Sequence, residues 1–225
     1  MHKKKCKDWR NPVDVRVVNL HQFVHQITSK LFHFIPIYSN FTAITLNRKI
    51  LELLENTAKS SIYGGFSNMI KILFVCHGNI CRSTMCESIM THLVNKKNQS
   101  TQISIQSAAT HNDEIGSPPH YGTEGKLKQM KIPLVPHRAV RMTKADYDNY
   151  DYLIGMDSAN IQNMKKIAGG DPDGKIHKLL SFAGSLRDIA DPWYTGNFDE
   201  TYSDALLGCQ ALLDHILQKN TSSRS

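Results

Sequence analysis

Nowhere in the 225 residues is there a run of eighteen apolar side chains. The best candidate, 31–46, is interrupted by His33, Pro36, Ser39 and Asn40, so no membrane-spanning helix is expected. Cysteine is scarce and odd in number, five in all, without the regular spacing of a disulfide framework. That points to free thiols in a reducing compartment, the cytoplasm. The chain also lacks internal repeats and the charge excess of disordered proteins. Hydrophobic residues make up 40% and charged residues 21%, which excludes wholesale disorder.

A net charge of +7 is present, but it is unevenly placed. Residues 1–68 carry ten Lys/Arg and four Asp/Glu, whereas 69–225 carry seventeen and sixteen. The basic excess belongs to the first part, and the remainder has no electrostatic footprint for nucleic acid.

The composition shifts near Met69. Upstream there is no sustained hydrophobic period. The basic run at 1–10, with Lys3, Lys4, Lys5 and Lys7, is followed by neither an apolar stretch nor a small-residue cleavage site, as a signal peptide would require. Leu46, Ile50, Leu53 and Leu54 have the spacing of one short helix over 46–59, and Ser60, Ser61, Gly64 and Gly65 break it. Residues 1–68 are expected to be a loosely ordered N-terminal extension, or a binding arm. A further expectation is that Gly64-Gly65 reflects a purine-rich ribosome-recruiting tract, with Met69 the natural start and 1–68 a translated leader.

From Met69 the chain alternates. Residues 70–75 form an apolar run broken only by Lys71, as in a buried parallel strand. Met85, Ile89, Met90, Leu93 and Val94 predict a helix over 82–97. Strands are expected at 101–108, 152–156 and, more weakly, 176–180. Helices are expected at 122–130, 157–168 and 202–218. Repeated strand–helix units imply an α/β fold, a parallel sheet with helices on both faces, built from the domain 69–225.

The segment Cys76-His77-Gly78-Asn79-Ile80-Cys81-Arg82-Ser83 lies between the first strand and the first helix, where open parallel sheets bind ligands. A loop there aims backbone N–H groups and a helix N-terminus at one point, an anion site. Gly78 permits close backbone approach, and Asn79 tolerates the left-handed conformation a tight curl requires. A helix N-terminus and a nearby cation favour thiolate at Cys76. The planar guanidinium of Arg82 can take two phosphoryl oxygens. The Ser83 hydroxyl can donate to the sulfur. These groups suit attack of sulfur on phosphorus through a phosphocysteine, with the loop stabilising the equatorial oxygens.

The segment 75–83 resembles the signature of the low-molecular-weight protein tyrosine phosphatases. The resemblance continues through Ser107-Ala108-Ala109-Thr110, Glu114-Ile115-Gly116-Ser117-Pro118-Pro119, Ile132-Pro133, His137 and Gly155-Met156-Asp157. It reaches Asp191-Pro192-Trp193-Tyr194 and ends in the last helix. It implies a four-stranded parallel sheet with helices on both sides, and neither metal nor cofactor. The substrates it implies are phosphorylated proteins or small aryl phosphates. It also implies Cys76 as nucleophile, Arg82 as phosphate ligand and Asp191 as general acid. Asn79, Ser107 and His137 would support the loop, and Trp193, Tyr194 and Asp113 would flank the substrate. One carboxylic acid can protonate the leaving phenolate and then activate water. Asp171-Pro172 is a competing Asp-Pro turn. Cys81 either packs under the loop or traps an oxidised Cys76, while Cys86 and Cys209 occupy apolar helix positions.

The sequence departs from the family at three places. Thr84 follows the loop serine where the family usually has Pro, giving up a pre-set first turn. Cys86 stands where a small Ala is common. Asp113 occupies a loop that often offers an aromatic side chain. Two other chemistries belong to the same fold. A thiol-dependent arsenate reductase needs a second shuttle cysteine, which is missing. A phosphoarginine phosphatase tends to have a small polar residue at the position of Ile80. A non-enzymatic phosphate-binding module would not need nucleophile, arginine and acid together.

Overall fold

The computed structural model describes residues 69–222, with side chains described to Lys219. The expected helix at 46–59 and the loose extension at 1–68 lie outside the described residues. Four strands, β1 (Ile70–Cys76), β2 (Ile103–Ala109), β3 (Tyr152–Gly155) and β4 (Ile176–Lys178), form one sheet. Its order is β2-β1-β3-β4 and every pairing is parallel. The helices are α1 (Arg82–Lys96), α2 (Tyr121–Gln129), α3 (Lys144–Asn149), α4 (Ser158–Ala168), α5 (Pro192–Thr195) and α6 (Phe198–Ser222), with a 3-10 turn at Leu179–Ala183.

Strand β1 is central, so its side chains are buried in both directions. Alternation sends Ile72, Phe74 and Cys76 to one face and Leu73 and Val75 to the other. The first face packs with Met85, Ile89 and Met90 of α1 and Cys209, Leu212, Leu213 and Ile216 of α6. The second packs with Tyr147 of α3 and Met164 and Ala168 of α4. Phe74, Ile72, Met85 and Leu153 are fully enclosed, and each such side chain contributes about 2 kcal/mol of burial. Two layers of helix therefore clamp the strand whose last residue is Cys76.

The expected elements stand, with boundary shifts and two additions. The weak strand at 176–180 stops at Lys178, because Leu179 and Leu180 turn into the 3-10 segment to reach the α6 side of the core. The last helix begins four residues earlier than expected, at Phe198, since Asp199 and Glu200 supply a favourable acidic first turn without an apolar period. Helix α3 was not expected. It is polar apart from Tyr147 and depends on a capping box between Thr143 and Asp146. Helix α5 is a single turn, begun by Asp191 as N-cap and Pro192 at the first position. Among the described residues, no helix is long and apolar enough to cross a membrane.

Candidate active site

The loop after β1 curls because both of its ends are pinned. Thr110 N–H donates to Cys76 O at 2.9 Å, and His111 N–H to His77 O at 3.1 Å, so the first loop residues continue the pairing with β2. At the far end α1 starts at Arg82. Thr84 Oγ donates to Cys81 O at 2.9 Å, so the threonine ties the first turn by a hydrogen bond where a proline would fix it by its ring. Between the ends, Asn79 takes φ 60°, the left-handed conformation expected of it. Gly78 serves close approach: a Cβ there would meet Glu114 Cγ at 3.2 Å.

Asn79 is completely buried and uses its whole hydrogen-bonding capacity. Its Oδ1 accepts from Val140 N–H at 3.0 Å, which fixes the orientation of the amide. Its Nδ2 donates to Ser83 Oγ at 2.9 Å and to Ser107 Oγ at 2.8 Å. Because Ser83 Oγ accepts from Asn79, its own hydrogen is free for Cys76 Sγ, 3.1 Å away. The Asn79 backbone N–H donates to the same sulfur at 3.3 Å. Two donors thus converge on Sγ.

Behind this lies a second layer, in which Ser107 and His137 are joined by Glu87, a residue without a sequence-level expectation. Ser107 Oγ donates to Glu87 Oε2 at 2.5 Å, and His137 Nδ1 faces the same oxygen at 3.5 Å. Since Asn79 Oδ1 is an acceptor, His137 Nε2, 2.7 Å from it, carries a hydrogen. Burial pushes Glu87 up to about 7, against the opposing hydrogen bond from Ser107, and burial also lowers His137. Both changes disfavour charge on the pair. Glu87 sits on the buried face of α1, five residues after Arg82. A charged residue among apolar helix positions was the one available signal.

Arg82 is 3% exposed. Its Nη1 donates to Asp157 Oδ2 at 2.6 Å and to Ile189 O at 3.1 Å, and its Nη2 donates to Asp191 Oδ2. Its Nε is buried with no partner. Asp157 also caps α4, accepting from Asn160 N–H at 2.6 Å, so one carboxylate fixes both the helix and the guanidinium. Its role was also missed. Asp191 Oδ1 accepts from Trp193 N–H at 3.1 Å, the cap of α5.

One cavity of about 360 Å³ gathers Cys76, His77, Gly78, Ile80, Cys81 and Arg82 with Asp113, Asp157, Asp191, Trp193 and Tyr194. Asn79, Ser83, Ser107 and His137 lie beneath it rather than in its lining. Trp193 and Tyr194 are exposed, while Ile80 is an apolar wall packed on Cys81, Ala139 and Phe198. Asp113 Oδ2 pairs with His77 Nε2 at 2.9 Å on the rim. The competing Asp171 is elsewhere, accepting from Tyr147 OH at 3.0 Å and Lys175 N–H at 2.8 Å. Cys81 is buried, which, with Cys76 and Asp191 nearby, pushes its thiol up to about 12. Cys86 and Cys209 are fully enclosed core residues.

Comparison with known proteins places this arrangement. The family described as low molecular weight phosphotyrosine protein phosphatase matches residues 71–223. The chain is 40% identical over 150 residues to the low molecular weight protein-tyrosine-phosphatase YfkJ of Bacillus subtilis, covering 66% of this chain and 96% of that protein. The crystal structure of YfkJ superposes with a TM-score of 0.67, covering 69% of this chain and 99% of that one. Identity to the low molecular weight protein-tyrosine-phosphatase PtpA of Staphylococcus aureus is 36% over 151 residues, covering 67% of this chain and 96% of PtpA. The crystal structure of DARP, a Drosophila arginine phosphatase, is similar at 30% identity and TM-score 0.60, covering 65% of this chain and 98% of that one.

Proposed function

We propose, for a chain that belongs to the low molecular weight phosphotyrosine protein phosphatase family and is a protein tyrosine phosphatase, that hydrolysis runs through a phosphocysteine on Cys76. The observation that carries this reading is the convergence of Ser83 Oγ and Asn79 N–H on Cys76 Sγ, in one cavity with Arg82 and Asp191.

The phosphomonoester enters with its oxygens toward the loop N–H groups and Arg82. The orphan Nε supplies one donor, and Nη2 supplies a second once Asp191 turns from it to the leaving oxygen. Asp157 keeps Nη1, so the guanidinium plane stays fixed during that exchange. Sγ attacks phosphorus, the P–O(aryl) bond breaks, and Asp191 gives its proton to the departing phenolate. In the second step Asp191 takes a proton from water as the water oxygen attacks phosphorus. The S–P bond breaks, and Cys76 returns as thiolate with release of inorganic phosphate. The donors already aimed at the sulfur need no reorganisation at the transition state.

Ile80, Trp193 and Tyr194 give the cavity apolar and aromatic walls, which fit a phenyl ring. The likeness to an arginine phosphatase raises phosphoarginine as a second substrate, and the apolar Ile80 opposes it. Arsenate reduction would need a shuttle thiol. Cys86 is enclosed and its thiol lies well above its ordinary value through burial, so nothing favours that route. Residues 69–225 form the catalytic domain in this reading. A thiol nucleophile fits a reducing cytoplasm, and phosphorylated proteins or small aryl phosphates are the partners, without nucleic acid.

The test is rapid acid quenching during turnover of a labelled aryl phosphate. Label should remain on Cys76 in the wild type and be absent from Cys76→Ser. A phosphotyrosine peptide should be cleaved at least tenfold faster than phosphoserine or phosphoarginine substrates. Label on another residue, or a preference for phosphoarginine, would overturn the assignment.

A further inference from the structure

A second cavity, also about 360 Å³, adjoins the catalytic one and shares Asp113 and Asn163 with it. The partition between them is a pair of stacked imidazoles. His77 faces the first cavity and His111 the second, with ring centroids 3.8 Å apart and planes 16° from parallel. His111 Nδ1 lies 2.8 Å from Thr110 Oγ, and Asp113 holds His77 from the rim. The stack is therefore secured at both ends.

The two cavities differ in charge. The first is lined by Asp113, Glu114, Asp157 and Asp191 against the single guanidinium of Arg82. The second is lined by Arg141 and Lys166, with Asp113 as its only carboxylate, already paired with His77. Neither cation has an ion-pair or hydrogen-bond partner among the described residues. Burial, and then the neighbouring His77, hold His111 below its ordinary value, so it adds no charge near neutrality.

Both cations stand on fixed backbone. Arg141 forms a parallel bridge with Ala109 at the end of β2, where Val140 O and Met142 N–H bond the Ala109 amide and carbonyl at 2.7 and 2.9 Å. Lys166 lies on α4, one turn beyond Asn163. Ala159, Asn160 and Asn163 of this helix line the first cavity, and Asn163, Lys166 and Ile167 line the second. The spacing of three and four residues puts them on one continuous helix face, leading from one cavity to the next.

We propose that the second cavity is a specificity subsite, in which Arg141 and Lys166 bind an acidic residue adjacent in sequence to the phosphotyrosine of a protein substrate. The shared chemistry is an anion on the peptide, either a carboxylate or a second phosphomonoester. The proposal rests on the phosphatase reading and names its substrate class. A free aryl phosphate fills only the first cavity, so its turnover does not involve the subsite.

The experiment measures kcat/KM at low ionic strength for phosphotyrosine peptides carrying Glu, phosphoserine or Gln at each of the two positions on either side. A small aryl phosphate serves as the reference substrate. In the wild type the best-placed anion should exceed Gln by about fivefold, the value of one or two partly exposed ion pairs. A larger ratio for phosphoserine than for Glu identifies the dianion as the preferred occupant, and the reverse identifies the carboxylate. Arg141→Ala/Lys166→Ala should bring the ratio to about one, Arg141→Glu/Lys166→Glu should invert it, and 0.5 M salt should flatten it. Aryl phosphate turnover, unchanged in both variants, shows that they fold. A wild-type ratio of one at every position, or a ratio unmoved by charge reversal, overturns the subsite. Failure to turn over the aryl phosphate at all would instead overturn the phosphatase reading.

Discussion

The floor and the rim of the catalytic cavity are built on opposite principles. On the floor, Asn79, Ser83, Ser107, Glu87 and His137 are buried or nearly so and form a closed chain of directed hydrogen bonds that ends on Cys76. On the rim, Asp113, Trp193 and Tyr194 are exposed and held by one contact each or by backbone alone. A buried polar group with a missing partner costs about 1–3 kcal/mol, so the floor has essentially one arrangement. An exposed side chain loses little by moving. In the proposed mechanism chemistry, which needs fixed atoms, falls to the floor, and recognition of varied substrates to the rim. Substitutions should divide along the same line.

The largest effect is expected at the point where the floor meets substrate. Cys76→Ser should reduce turnover by at least about a thousandfold while inorganic phosphate still binds, because the loop N–H groups and Arg82 remain. Arg82→Lys should be nearly as damaging. A point charge cannot serve Asp157, Ile189 O and a phosphoryl group together. Steady-state rates and phosphate inhibition constants measure both. Near-normal activity in either variant breaks the comparison at its base.

Next is Asp191→Asn, which keeps the shape and removes the proton. The wild-type to variant ratio of kcat/KM, which reports the first phosphoryl transfer alone, should climb from near one to about a hundredfold across aryl phosphates of rising leaving-group pKa. A flat ratio removes Asp191 from the acid role. Asp171 could not replace it in place, since it does not line the cavity.

Asn79→Ala tests the floor one step from the substrate. It removes the donors to Ser83 and Ser107 and places alanine at φ 60°, which alone costs about 1 kcal/mol. Turnover should drop by about tenfold with KM little changed, and Tm should fall by several degrees. Ser83→Ala, which takes one partner from Asn79 but leaves its contacts with Ser107, Val140 and His137, should reproduce the loss in rate with a smaller loss in Tm.

The contrast also explains what was legible in the sequence. Strand β1 and helix α1 were plain because a continuous apolar run and an apolar period of 3.6 flank a polar loop. Gly78 and Asn79 announced the curl because few residues fit it. The reach of Arg82 to Asp157 and Asp191, 75 and 109 residues away, has no local signature. Neither does the contact of Glu87 with Ser107, which joins one face of α1 to the adjacent strand. Resemblance and its aromatic neighbours single out Asp191, and the fold puts it, unlike Asp171, in the wall of the cavity with Cys76 and Arg82. Helices α3 and α5 escaped because caps rather than hydrophobic period define them.

Glu87→Gln is expected to act mainly through pH. The folded carboxyl titrates near 7, above its ordinary value, because burial disfavours its charge. Its contribution to stability is therefore fully present below the unfolded value and is lost as pH rises through about 7. The glutamine keeps an acceptor for Ser107 and has no proton to lose. The variant's Tm, measured relative to wild type, should rise by several degrees between pH 5 and pH 8, while turnover at the optimum changes by no more than about threefold. A constant Tm difference would mean that Glu87 is not the titrating group of the floor.

The smallest effect on kcat should fall on the rim, and Trp193→Ala is its cleanest test. The indole is 57% exposed and meets the protein chiefly edge-on at His120, with ring centroids 5.8 Å apart. What Asp191 needs from this residue is the backbone N–H, and alanine retains it. The acid should therefore keep its position and kcat its value, while the aromatic face offered to a phenyl ring is lost. Ring-on-ring contact at an exposed site contributes about 1 kcal/mol, so KM for an aryl phosphate should rise by about fivefold. Trp193→Phe should restore most of it, because the face and not the indole N–H makes the contact. A non-aromatic phosphate monoester should be insensitive to either change. If kcat falls instead, with KM unmoved, Trp193 positions Asp191 and belongs functionally to the floor, and the division between the two regions would have to be drawn outside it.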